Sequence, residues 1–155
     1  MSFRIRGLDP EPFAPLFALE DEALAARGIV RVAADAPHSA PCRISLEDAE
    51  PGERLLLLSY AHQPAATPFR QSGPIFVREG ARKAYDEVDR VPGAFARRTL
   101  SARSYDHDGM MIGGELVDGL ELAGLLSDWL ARPEVDVVHL HYARRGCYAG
   151  LAERA

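Results

Sequence analysis

A chain of 155 residues with a formal net charge of −5 is the right length for one domain with its own core. Its 47% apolar and 26% charged residues fit an ordinary globular chain, and no basic stripe marks a nucleic-acid binder. Met1 to Gly7 lacks the apolar core of a signal peptide, and the run Leu55 to Leu58 is far too short to span a bilayer. The expectation is a cytoplasmic protein with no nucleic-acid or membrane partner.

Lys83 is the one lysine among many arginines, and with the abundant alanine this suggests a bacterial genome rich in G and C. Arg6, Arg27 and Arg31 are scattered, while Arg97-Arg98 and Arg144-Arg145 read as solvated edges or turns. Cys42 and Cys147 are expected to remain thiols in a reducing compartment, each by default a small buried hydrophobe.

In chain order, Phe3 to Gly7 alternates as a short strand. Phe13, Leu16, Phe17 and Leu24 have helical spacing. Glu20 to Gly28 reads as a short helix with acidic residues in its first turn and Gly28 at its C-cap. Ile29 to Ala33 resumes as a strand, and Pro37 to Pro41 is a loop. Ser45 to Asp48 resembles a helix start that Pro51-Gly52 stops after about one turn. Arg54 to Tyr60, with four consecutive leucines, predicts a strand buried on both faces and central in its sheet. Ala61 to Gly73 reads as a long irregular loop, followed by a strand from Pro74 to Arg78. Ala81 to Asp89 suggests a turn of helix, and Val91 to Gly93 a break. Thr99 to Tyr105 and Met110 to Val117 form a hairpin around Asp108-Gly109, with Gly113-Gly114 as a bulge. Asp118 to Glu121 reads as a capping box. Leu122, Leu125, Leu126, Trp129 and Leu130 make one apolar helix face, ended by Pro133. That helix returns the chain across the sheet, so the strand from Val135 runs parallel to the one ending at Val117. The fold class is α+β: a mixed, mostly antiparallel sheet with a few packed helices and one strand-helix-strand unit near the C-terminus.

The tail strand carries the best candidates for chemistry. Val138, Leu140 and Tyr142 form a core face. The other face starts with Val135 and Val137 and then presents His139 and His141. Half-buried imidazoles in such a place can tune their pKa, bind a metal or hold a ligand. Cys147 shares the histidine face if Arg144 to Gly146 is a three-residue loop with Gly146 left-handed. It opposes Tyr142 if Arg144-Arg145 is a two-residue loop. The glycine position favours the first.

Zinc would need a further ligand from His62, His107, Asp106 or Asp108, and the paired spacings of structural zinc sites are missing, so no metal ligand is assigned. A Cys-His nucleophile pair lacks an activating helix N-terminus. Asp106 to Gly109 reads as a turn rather than a calcium loop, and Gly109, Gly113 and Gly114 do not make a phosphate loop. Arg78 can bind a carboxylate or phosphate, or stand as an exposed strand end. The candidate pocket residues are His139, His141, Cys147, His62, Arg78 and His107, and no cofactor is named.

Cys42-Arg43, His62-Gln63-Pro64, Gly73 to Val77, Tyr105-Asp106-His107 and His139-Leu140-His141 through Gly146-Cys147 together resemble a bacterial family of small proteins. It is known only as domain of unknown function number twelve hundred and three. The resemblance covers essentially the whole chain and implies a single domain of this length, with no assigned activity or catalytic residue. Two readings of function follow. One is a small-molecule or metal-binding domain, or an enzyme, using the polar strip around His139 and His141. The other is a non-catalytic accessory protein, a homodimer, in which the histidines are structural.

Overall fold

The computed structural model describes residues 1–155. Nine strands are formed: β1 (Phe3–Arg6), β2 (Val30–Ala33), β3 (Arg54–Gln63), β4 (Gln71–Arg78), β5 (Asp86–Val88), β6 (Thr99–Tyr105), β7 (Met111–Asp118), β8 (Val137–Tyr142) and β9 (Tyr148–Arg154). They build a six-stranded sheet of order β5-β1-β9-β8-β6-β7 and a three-stranded sheet of order β2-β3-β4. Neighbouring strands pair antiparallel, and one isolated bridge, Cys42 to Phe76, is parallel. The helices are α1 (Asp21–Ala25), α2 (Gly93–Ala96) and α3 (Leu122–Leu130), with a 3-10 turn at Ala14–Ala18. The fold is α+β. β7 and β8 flank β6 and run parallel, joined by α3 as the strand-helix-strand unit. No helix is long and apolar enough to cross a membrane.

Periodicity decides which face each element covers. The apolar stripe of α3, Leu122, Leu126, Trp129 and Leu130, packs on Leu100, Ala102, Val138, Leu140 and Tyr142 of the large sheet. The opposite face of that sheet meets the small one through Leu56, Leu58, Ile75, Val77 and Tyr148. Leu55 points the other way, into a cluster with Ala34, Ala40 and Ala49. The leucine run of β3 is therefore buried on both sides, and β3 is the central strand of its sheet.

A segment without strand assignment ties the sheets together. The Arg43 N–H donates to Phe76 O of β4 (2.9 Å). Leu8 N–H donates to Arg43 O, and Tyr85 N–H to Ile44 O, both at 2.8 Å. Residues 42 to 44 thus run as an unregistered strand between β4 and the chain beside β1. Gly7 permits the approach, because a Cβ there would lie 2.0 Å from Ile44 O.

Several expectations are corrected. The region read as a loop from Ala61 is strand as far as Gln63, because β3 continues past an irregularity in its pairing with β4 between Tyr60 and Gln63. β4 starts at Gln71, so the connection is residues 64–70. Pro74 is tolerated because β4 is an edge strand. Where a helical turn was expected from Ala81, Asp86–Val88 adds an edge strand to β1, pinned by the Arg4–Asp86 ion pair. Gly93, read as part of a break, opens α2 instead. Ser45 to Asp48 starts no helix, because Leu46 takes a left-handed φ of 54° with its side chain fully buried. The Asp118 box is not formed. Its carboxylate accepts from Leu120 N–H (2.9 Å), not from the helix's third residue. The pairing irregularity of the β6–β7 hairpin falls at Ile112, beside the two glycines, between the pairs Ser104–Gly113 and Tyr105–Met111.

Candidate functional site

Alternation along β8 sends His139 and His141 to the face that meets the small sheet. In register on β6 stand Arg103 opposite His139 and Ser101 opposite His141, and on β9 Tyr148 stands opposite His141. The extra length of β3 delivers His62 to the same place. Its ring lies edge-on to His141 at 4.9 Å and stacks on Tyr148 at 5.2 Å. The His139 ring lies 6.1 Å from His62, 4.6 Å from Tyr105 and 5.6 Å from Tyr148.

The hydrogen bonds define the tautomers. His141 Nδ1 lies 2.9 Å from Gly146 O, which can only accept, so Nδ1 carries the proton and Nε2 keeps a lone pair. His62 Nε2 lies 3.1 Å from Gln71 Oε1, which leaves Nδ1 bare. His62 Nδ1, His139 Nδ1, His141 Nε2 and the Tyr105 hydroxyl are buried without a protein partner. Burial pushes His139 down to about 3, helped by His141, His62 and the Arg103 guanidinium. Burial brings His141 to about 4 against the pull of the Gly146 carbonyl. His62 is lowered by the same cause. The trio is neutral at pH 7. No group of three or more His, Cys, Asp or Glu side chains is disposed to hold a metal ion.

Of the six candidates, the structure brings His62, His139 and His141 together. Arg78 lies elsewhere, paired with Glu53 at 3.2 Å. His107 is exposed and lies 2.9 Å from Asp136. Cys147 takes the register that the glycine argument disfavoured. Gly146 is left-handed (φ 79°), but its N–H returns to Tyr142 O and closes a four-residue turn, Ala143 to Gly146. Tyr142 N–H donates to Cys147 O, so the cysteine stands opposite Tyr142, away from the histidine face.

Cys147 instead lines a cleft of about 840 Å³. The wall includes Ile75 and Phe76 of β4, Thr99 of β6, the turn after β8, and the residues Arg43, Arg97, Arg98, Arg144 and Arg145. None of its 16 lining residues is acidic, in a chain whose net charge is −5. Arg97 and Arg98 are held by Asp48, at 2.8 and 2.6 Å. Arg98 also donates to His38 O and Ala94 O. Beyond this lock, at His38 and Arg97, lies a smaller hollow of about 350 Å³ lined by Glu47, Asp48 and Glu50. The guanidinium carbons of Arg43 and Arg98 lie over the Tyr142 ring, 5.0 and 5.1 Å from its centroid. The histidine trio lines neither hollow.

Sequence reasoning missed this cleft. Its signals were the two arginine pairs, each of which reads alone as a solvated turn. β6 is paired to β8, so the residues just before β6 and those just after β8 meet at one end of the sheet.

No curated protein and no solved structure matches the chain. A family described as "Protein of unknown function (DUF1203)" matches residues 39–154, a span that includes Arg43, all three clustered histidines and the turn after β8. The chain belongs to that family.

Proposed function

We propose that the protein is a small-molecule-binding domain of a bacterial cytoplasm, and that its ligand occupies the arginine-lined cleft rather than the histidine strip. The carrying observation is that two side chains more than nine-tenths buried, Arg43 and Tyr142, line a hollow of about 840 Å³. That volume is metabolite-sized. The histidine rings are closed in by Tyr105, Tyr148 and one another, which favours a supporting role for them. Cys42 and Cys147 are both free thiols, in keeping with a reducing compartment.

The test is a thermal-shift screen of metabolites on wild type, Ala143→Trp and Glu50→Ala. A tryptophan at Ala143 intrudes on the cleft, and Glu50 lines only the smaller hollow. Ligands that raise Tm by several degrees will lose the effect in Ala143→Trp and keep it in Glu50→Ala. Hits indifferent to Ala143→Trp count against the cleft.

A homodimer is the second reading. β7 is an edge strand, and Leu116 on it is 72% exposed. A single monomer mass across a wide concentration range removes this reading.

A further inference from the structure

We infer that the ligand of this cleft presents an oxyanion, a carboxylate or a phosphate group, to the Arg43 guanidinium, with Arg144 and Arg145 at the mouth. This rests on the cleft being the binding site. It adds the chemistry that the cleft selects.

Arg43 is 3% exposed. Its side chain hydrogen-bonds only to backbone carbonyls, Nε to Tyr148 O at 2.7 Å and Nη1 to Pro41 O at 2.6 Å. No carboxylate pairs with it, and Nη2 has no protein partner in a side chain that lines the cleft. A buried cation without a counter-charge is costly, and the usual remedy is a paired anion. The neutral histidines supply none. The Tyr142 ring offers its electron-rich face at 5.0 Å, a partial compensation only.

The position of Arg43 is also fixed in advance. Its N–H and C=O are both held in the segment that bridges the sheets, and two carbonyls orient the guanidinium. Such an arrangement binds a planar or tetrahedral oxyanion without reorganising. The Tyr142 hydroxyl, buried and without a partner, adds a donor in the same wall.

The other four arginines divide into two groups. Arg97 and Arg98 are committed to Asp48 and act as structure. Arg144 and Arg145 are exposed on the turn, where they can close on the ligand's charge. The positive wall opposes the net sign of the chain, so it is a local feature and not general basicity. A hollow bounded by two sheets suits a small molecule better than a polymer.

The experiment is isothermal titration at about pH 7 with sodium pyrophosphate, inorganic phosphate and citrate, each to about 10 mM. The proteins are wild type, Arg144→Gln/Arg145→Gln and Arg43→Met. At least one anion will bind wild type, about tenfold more weakly after the turn substitutions, and not at all after Arg43→Met. Pyrophosphate against citrate separates phosphoryl from carboxylate ligands. If Arg43→Met fails to fold, the exposed turn variant and Ala143→Trp carry the result. Binding indifferent to all these variants overturns the inference, as does no anion binding at all. A neutral ligand lost in Ala143→Trp, with every anion silent, overturns the oxyanion while the cleft reading stands. Silence from anions and metabolites alike removes both. A single-stranded oligonucleotide that binds with the same arginine dependence overturns the small-ligand assignment.

Discussion

Acidification will unfold this protein cooperatively between about pH 5 and pH 4, and the histidine trio will be the proton sink. Buried His139 and His141 are held at about 3 and about 4, against about 6.5 for an unfolded chain. Their folded pKa values are depressed, so the unfolded state binds protons first. The stability they permit is complete above about pH 6.5 and is lost as pH falls toward the folded values. By pH 4 each imidazole has removed about 3 kcal/mol. Two such losses rival the whole stability of a typical domain, about 5–15 kcal/mol.

On His139 and His141 only the Gly146 carbonyl, which accepts from His141 Nδ1, softens the effect. The groups around the rings are Arg103 and Tyr105 from β6, Tyr148 from β9, His62 from β3 and, toward His141, Arg43, with no carboxylate among them. Asp48 titrates in a lower window. Burial alone would raise it, but Arg98, His38 and Arg97 together hold it below the usual carboxylate range. Circular dichroism and Trp129 fluorescence against pH will report the midpoint. His139→Met, which keeps volume and removes one titration, will move it down by about one pH unit. An unchanged midpoint would place the protons elsewhere.

Gly7→Ala will cost about 3 kcal/mol or more and lower Tm by about 10 °C. A Cβ at Gly7 meets Ile44 O at 2.0 Å, Ile44 C at 2.9 Å and Arg43 O at 3.0 Å, all backbone atoms that cannot rotate aside. Relief requires pushing the bridging segment off β1. That breaks the Leu8 N–H to Arg43 O bond and displaces the Arg43 guanidinium. The variant will therefore lose cleft binding as well as stability. Gly124→Ala is the control. Nothing lies within 4 Å of its Cβ position in α3, and replacing a helical glycine there will stabilise by up to about 1 kcal/mol. A Gly7→Ala melt within about 1 °C of wild type would show that the segment yields easily.

The elements readable from sequence were those whose pattern is local. The apolar stripe of α3, the leucine run of β3, the Asp108-Gly109 hairpin and the left-handed Gly28 after α1 each follow from neighbouring residues alone. The two faces of β8 were also local, a matter of parity. What failed depended on partners far along the chain. Asp86–Val88 has no strand signature and exists because β1 offers an edge. His62 reads as loop because its stretch has two prolines and no periodicity, while a pairing irregularity lets β3 run on. Leu46 sits left-handed because its side chain is anchored in the main core. The arginine cleft needs the segment 42–44, the start of β6 and the turn after β8 in one place, and no window of sequence contains all three.

The segment that bridges the sheets also sets a clock. Parting the sheets would break the bond from Arg43 to Phe76 on one side of the segment, or those linking Leu8 to Arg43 and Tyr85 to Ile44 on the other. Admitting a ligand by a hinge of one sheet against the other therefore costs backbone hydrogen bonds. The exposed parts of the mouth are Arg144 and Arg145, side chains that reorient in picoseconds to nanoseconds. Association is then limited by encounter and steered by charge, and differences in affinity among ligands fall on how long each one stays.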